Sequence, residues 1–332
     1  MLDLKKALAI AVALITLFTL KLNFAVADSS SDFSLGISPT IIVVNANQPS
    51  SVDTKIKIQN DSTNVEDLVI LLRPFKLSAR SNGQIEYPPN LKSQGPDSRI
   101  LEKVKIYDGD NDVNQIRLNP LASKTLDLKL NVDAGEPSGD YYFTVLFVSK
   151  SNITQESSSS SLGGIGTNVI LSIGKKTGIK GSIPEFSTPF LAGTGPVAFT
   201  LLVSNDGDRY IEPRGRINLR DMFGRDQGFI EILPQYIPAH SKRYMIDLSQ
   251  KPNPKVNLKT GNSITSRNPV MIWPSRFLFG VYTAEATVRL SETGPAFERT
   301  ISFIALPFYL IFAFSLFAFV IIGIYIRVKR KI

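Results

Sequence analysis

The sequence predicts an all-β chain: two immunoglobulin-like β-sandwich domains in tandem, followed by one C-terminal transmembrane α-helix. Three observations carry that expectation. Apolar and polar residues alternate with period two along many short segments, and turn signals separate those segments at short intervals. The one long apolar run, Ile301 to Ile326, holds no charged residue. Short alternating strands with few amphipathic helical stretches are the pattern of a sandwich.

Taken in chain order, residues 1–27 read as a signal peptide. Lys5 and Lys6 precede an apolar stretch from Ala7 to Leu20, and Ala25-Val26-Ala27 offers small residues for cleavage between Ala27 and Asp28. Residues 28–177 form the expected first sandwich. Ile37 to Val44, Val52 to Ile58 and Leu68 to Leu72 are rich in Ile and Val, and Leu126 to Val132 alternates cleanly. Tyr141 to Val148 and Thr167 to Ile173 are more continuously apolar strands. Asn82-Gly83, Asp108-Gly109-Asp110 and Glu136-Pro137-Ser138-Gly139 supply turns. The serine run Ser157–Ser161, with Gly163 and Gly164 after it, reads as a flexible loop within this domain.

The second sandwich is expected over residues 178–299. Its best strands are Val197 to Val203, Arg214 to Arg220, Tyr244 to Leu248 and Tyr282 to Leu290, with turns at Asp206-Gly207 and Met222-Phe223-Gly224. The expected helix, residues 300–326, is long enough to cross a hydrocarbon core of about 30 Å at about 1.5 Å per residue. Tyr309 and Tyr325 stand near its ends, as interfacial aromatics do. The tail, residues 327–332, carries Arg327, Lys329, Arg330 and Lys331. Positively charged flanks stay in the cytoplasm, so the expected location is the cell membrane, single-pass, with the sandwiches outside.

Composition narrows the function classes. The formal net charge is +8, from 37 Lys and Arg against 29 Asp and Glu. Most of the excess lies in the signal and the tail, leaving the sandwiches near +2, so a nucleic-acid binder is not expected. There are no cysteines and one histidine, which leaves neither disulfides nor the ligands of an ordinary zinc site. No cofactor, metal or catalytic residue is expected.

Several motifs have weak chemical readings. Ser172-Ile173-Gly174-Lys175, with Lys176-Thr177-Gly178 and Lys259-Thr260-Gly261, matches fragments of penicillin-binding enzymes, but Ser172 ends a β-rich run where the chemistry needs a helix. Asp108 to Asp112 spaces three carboxylates as calcium loops do, yet Val113 and Asn119 stand where Gly and Glu belong. His240 sits in a turn-like setting. Asn60-Asp61-Ser62 and Asn152-Ile153-Thr154 fit a common glycosylation sequon. Arg214, Arg216 and Arg220 share one face of a predicted strand, and Arg225 follows beyond the turn. This stripe is the candidate site for an anionic polymer, although Glu212, Asp221 and Asp226 lie close enough to neutralise it.

Two segments carry a family resemblance. Gly36 to Val44 followed by Val52 to Asn60, together with Ser138-Gly139-Asp140-Tyr141-Tyr142-Phe143-Thr144-Val145-Leu146-Phe147, resembles the DUF916-type domain of WxL-interacting bacterial surface proteins. In the second domain, Asn205-Asp206-Gly207, Glu212 to Gly215 and Asp221 to Arg225 are similar to other bacterial surface proteins of this layout. The resemblance implies a membrane-anchored binding or scaffold protein whose partner is a cell-wall polymer (peptidoglycan or an anionic glycopolymer) or another surface protein. A chaperone-like sandwich for secreted subunits is the alternative, and a free strand edge in the first domain would favour it. A cell-wall enzyme is less expected, because no carboxylate or histidine constellation is present.

Overall fold

A computed structural model describes residues 34–88, 96–150, 164–176, 178–249, 269–275 and 277–329. The proposed cleavage point at Ala27 and Asp28, the Ser157–Ser161 run, Asn152 and the segment Pro252 to Asn268 lie outside them. Two β-sandwiches follow one another along the chain, then a helix.

In the first sandwich one sheet runs in the order β1 (Leu35–Ser38), β3 (Ser50–Asn60), β10 (Ser123–Val132), β7 (Val104–Asp108), β8 (Asn111–Asp112). The facing sheet runs β2 (Ile41–Ala46), β12 (Gly164–Ile173), β11 (Gly139–Ser149), β4 (Glu66–Pro74), β9 (Gln115–Leu118). A small hairpin, β5 (Lys76–Leu77) with β6 (Ile85–Glu86), and a short helix, α1 (Pro96–Leu101), lie between β4 and β7. The alternation read in the sequence is the one that packs: Ile56, Ile58, Leu126, Leu128 and Leu130 point inward against Phe143, Val145 and Phe147. Burying one such side chain fully stabilises by about 1.5–3 kcal/mol.

The second sandwich pairs a four-stranded sheet, β13 (Gly181–Ser187), β15 (Val197–Asn205), β18 (Ser241–Tyr244) and β19 (Met271–Trp273), with a five-stranded one. That larger sheet runs β14 (Leu191–Ala192), β21 (Ala296–Ala305), β20 (Gly280–Arg289), β16 (Arg214–Asp221), β17 (Asp226–Ile232). Phe199, Leu201, Ile217, Leu219, Tyr282 and Phe303 fill the space between them.

The two sandwiches share a local device. Asn60 ends β3 and Asn205 ends β15, each followed by Asp. Each Asn side chain donates to three backbone carbonyls (Asn64, Leu118 and Asn119 in the first; Arg209, Ile237 and Pro238 in the second) and accepts the N–H two residues on. Asn60 is therefore consumed and fully buried, which corrects the sequon reading at that position.

Three expectations shift. Ile37 to Val44 is two strands: β1 pairs antiparallel with β3, and after Pro39 and Thr40 the chain crosses to the other sheet, where β2 pairs parallel with β12. Strand β18 lies earlier than the expected Tyr244 to Leu248. The apolar run from Ile301 also does not begin as helix. Residues through Ala305 belong to β21, where Phe303 and Ala305 face the core, and α2 (Phe308–Lys329) starts only after Pro307. Among the described residues no helix is long and apolar enough to cross a membrane. Described side chains in α2 run unbroken only from Phe308 to Phe319, whereas its sequence is uncharged to Ile326.

Gly215 shows how closely β16 and β20 approach within their sheet. A Cβ there would stand 2.0 Å from the Thr287 carbonyl oxygen, whereas one on Gly139 would meet open space. Gly215→Ala should lower stability by about 1–3 kcal/mol, and Gly139→Ala should change it by less than about 0.5 kcal/mol; thermal unfolding of the two variants measures the difference.

Candidate functional site

The arginine stripe forms as its spacing predicts. Arg214, Arg216 and Arg220 are exposed on the outer face of β16, while Ile217 and Leu219 enter the core. Arg225 stands in the turn after it. The electrostatics differ from those of a free cationic stripe. Arg214 pairs with Glu212 at 2.9 Å and Glu292 at 3.4 Å, and Arg220 pairs with Glu285 at 3.6 Å. Arg225 pairs with Asp221 at 2.7 Å. Burial alone would raise the Asp221 carboxyl, but the bonds from Arg225 and the Phe223 N–H outweigh it and hold the group below its ordinary range.

Among the described residues Arg216 has no ion pair; its guanidinium lies 5.8 Å from the Phe229 ring. Arg289, which the sequence reading did not single out, joins Arg214 and Arg216 around a shallow cleft of about 560 Å³ with Phe229 and Glu231. The face is one of mixed charge, and only Arg216 and Arg289 on it lack carboxylate partners among the described residues.

The weaker motifs resolve into local structure. Ser172 lies on β12 and donates to Asp140 at 2.6 Å. In the β7–β8 hairpin Asp108 pairs with Lys124 and Asp112 with Lys105, so two of the three calcium-spaced carboxylates are held by lysines. His240 is exposed, 3.0 Å from Asp208.

Two features were not read from the sequence. The first is the joint between the sandwiches. Asp140, at the start of β11, is closed off from water and pairs with Arg209 of the second sandwich at 3.0 Å. It also accepts from Ser172, from Tyr142 at 3.2 Å and from the Tyr210 N–H. Arg209 in turn donates to the carbonyls of Ile173 and Lys175. Tyr142 accepts the Ala239 N–H, Tyr210 donates to Asn45, and Lys176 caps the Tyr210 ring at 3.2 Å. The β5–β6 hairpin makes a second contact, its Ser81 carbonyl accepting the Tyr244 N–H at 2.7 Å. A lone Asp at the head of an apolar strand was the available signal for the joint; Arg209 carried none.

The second feature is an unguarded strand edge. Strand β2 ends its sheet, and its six residues hold no charge, proline or bulge. The other sheet ends described here are guarded or brief: β9 carries Arg117, β13 a Pro and an irregular register, β17 a register shift and two acids, β18 Lys242 and Arg243, and β1, β8, β14 and β19 have at most four residues. The Thr40 and Ala46 carbonyls accept from β12, so by the two-residue period those of Ile41, Val43 and Asn45 face away from it. On the outer face Val43 lies beside the buried Ile170, and Ile41 lies beside Asn168, which accepts from Thr144. The outer faces of β3, β10 and β16 are polar by contrast.

No family model and no curated protein matches the chain. Among solved structures, the class 5 fimbriae chaperone CfaA is similar at 10% identity, with 82% of this chain and 100% of that chain covered and a TM-score of 0.36. The CupB2 chaperone of Pseudomonas aeruginosa gives 10% identity, 81% and 99% coverage and a TM-score of 0.34. The E. coli chaperone DraB gives 13%, 80% and 98%, and 0.34. At these scores the function has to be argued from the chain's own residues.

The joint sets a pH dependence. Burial, reinforced by the Asp140 charge, pushes the Tyr142 phenol far up; burial also pushes Tyr210 up to about 12. Both phenols stay neutral in the folded chain while those of the unfolded chain ionise near pH 10, so their contribution is intact below pH 10 and is lost as pH rises towards 12. Tyr142→Phe and Tyr210→Phe should each flatten the fall in melting temperature between about pH 10 and 12; an unchanged slope would remove the assignment.

Proposed function

We propose that the chain is a membrane-anchored, extracytoplasmic binding protein whose first sandwich takes up an extended segment of a partner polypeptide along β2, in the manner of a chaperone-like sandwich. The observation that carries this reading is the unguarded edge. A six-residue edge strand without charge, proline or bulge presents a row of backbone groups that another chain can pair with. The alternate side chains of an added strand would lie beside Ile41 and Val43 on the outer face, and the edge runs up to the joint at Asn45.

Anchoring is supported by α2. From Phe308 to Ile326 the sequence holds no charge and would rise about 28 Å as helix, close to the thickness of a hydrocarbon core. Phe312, Phe314, Phe317 and Phe319 are each at least 65% exposed, so the helix carries apolar side chains around its circumference with no protein against them. The basic tail sets the orientation with the sandwiches outside.

Val43→Pro tests the edge directly, because it removes an outward N–H without touching the pairing to β12. Photocrosslinkers at Ile41 and Val43 of the full-length chain in cells should join alternate residues of one extended segment of one protein. The same label at Thr125, on the polar outer face of the other sandwich sheet, should not. Val43→Pro, with the label at Ile41, should abolish the adduct while shifting stability by less than about 1 kcal/mol. Adducts that persist in the Pro variant, or that form equally from Thr125, would remove the strand-addition reading.

One observation favours a second reading, an anionic cell-wall polymer held in the cleft beside Arg216 and Arg289. If it holds, Arg216→Ala with Arg289→Ala should lower co-sedimentation with isolated sacculi at low salt several-fold and leave high-salt pelleting unchanged. Equal pelleting of variant and parent at every salt concentration would exclude it.

A further inference from the structure

The end of the second sandwich from which α2 departs is ringed by exposed apolar side chains. Phe190, Met222, Phe223, Phe277 and Phe279 are between 57% and 73% exposed, and three separate segments contribute them. Backbone pairing puts them together. Gly280 lies opposite Ala305, the last residue of β21, and Phe277 and Phe279 lead into Gly280. The Phe190 carbonyl accepts the Ile304 N–H at 2.8 Å, and the Ala192 carbonyl accepts the Leu306 N–H at 2.9 Å. The Met222 sulfur stands 3.2 Å from where a Cβ on Gly280 would be, with Phe223 beside it in the β16–β17 turn. The Arg225 guanidinium, paired with Asp221 through Nε, lies 5.1 Å from the Phe223 ring.

Single exposed apolar residues are ordinary on a protein surface, but a cluster of this kind at one end marks a contact. Geometry identifies the contact. Resting on the reading of α2 as an anchor, the hydrocarbon begins at about Phe308. The two steps from Leu306, still paired to β14, to Phe308 reach at most about 7 Å. The headgroup layer is about 5–8 Å thick on each side of a bilayer. The rim of the sandwich therefore has no room to stand clear of the lipid. Aromatic and long apolar side chains are what partition to that boundary.

We propose that this rim is a lipid-contacting surface: Phe190, Met222, Phe223, Phe277 and Phe279 sit at the headgroup–acyl boundary, and α2 is held at a fixed tilt below them. The sandwiches are thereby set on the bilayer as a rigid body instead of swinging on a tether.

The chain has no cysteine, so single labels report cleanly. Phe223→Cys, Phe317→Cys and Thr125→Cys, each carrying a nitroxide, are reconstituted as full-length protein in vesicles of phosphatidylcholine with phosphatidylglycerol. Accessibility to oxygen and to a water-soluble nickel complex is then compared. The label at 317 should be oxygen-accessible and nickel-shielded, the label at 125 fully nickel-accessible, and the label at 223 nickel-shielded at least about threefold relative to 125. If 317 is shielded but 223 is as open to nickel as 125, the rim proposal is wrong and the anchor stands. If 317 is open to nickel, the anchor reading fails and the rim proposal with it. Shielding at 223 accompanied by dipolar broadening between labels would show a second copy on the rim instead of lipid, and would likewise overturn it.

Discussion

The ion pair between Asp140 and Arg209, closed off from water where the two sandwiches meet, fixes where everything else lies. Removing either partner would leave an uncompensated charge in a dry site, at a cost of about 3–5 kcal/mol. The pair does not stand alone. Ser172, Tyr142 and the Tyr210 N–H also reach Asp140, and Arg209 reaches two backbone carbonyls, so the lone pairs and protons of both partners are largely taken up. Such a network defines one relative placement of the sandwiches, because rotating one against the other would strand several buried polar groups at once. The Asn205 side chain, tied to the Arg209, Ile237 and Pro238 carbonyls, holds the loop that delivers Arg209.

That fixed joint ties the proposed edge to the proposed membrane surface. The β2 edge reaches the joint through Asn45 and Tyr210, and the second sandwich carries the exposed apolar rim at the end where α2 leaves. A partner segment added along β2 would thus be held in a defined attitude to the bilayer. The polar faces of β3, β10 and β16 remain solvated, and the ion pairs of Arg214, Arg220 and Arg225 show that a row of arginines need not be a row of free charges. Exposed pairs of this kind add little stability, but they cancel much of the field an anionic ligand would feel.

Much of the fold was legible because strand period is a local property. Leu126 to Val132 could be read one residue at a time, and so could Arg214 to Arg220, whose outward arginines and inward Ile217 and Leu219 fall where period two puts them. Tyr141 to Val148 read as continuously apolar, and the structure gives the reason: one side faces the core, and on the other Leu146 and Val148 lie against Leu71 and Tyr87. Where reading failed, the decisive contact was distant. Ile37 to Val44 looks like one strand, yet its halves pair with β3 and β12, partners respectively about twenty and over a hundred residues away. Ile301 to Ala305 looks like the start of a helix because nothing local distinguishes an apolar strand from an apolar helix.

By itself the sequence determined the two β-sandwiches, the polar and apolar sides of their strands, the placing of turns and the uncharged segment near the C-terminus, since each depends on periodicity and on residues a few positions apart. Only the tertiary structure decided which carboxylate each arginine meets, that Asp140 and Arg209 close the joint, that β2 is left as an unguarded edge and that five apolar side chains gather where α2 leaves. Those features join residues far apart in the chain, and the energy that selects them, burial of charge and pairing of backbone groups, is set only once the distant partner is in place.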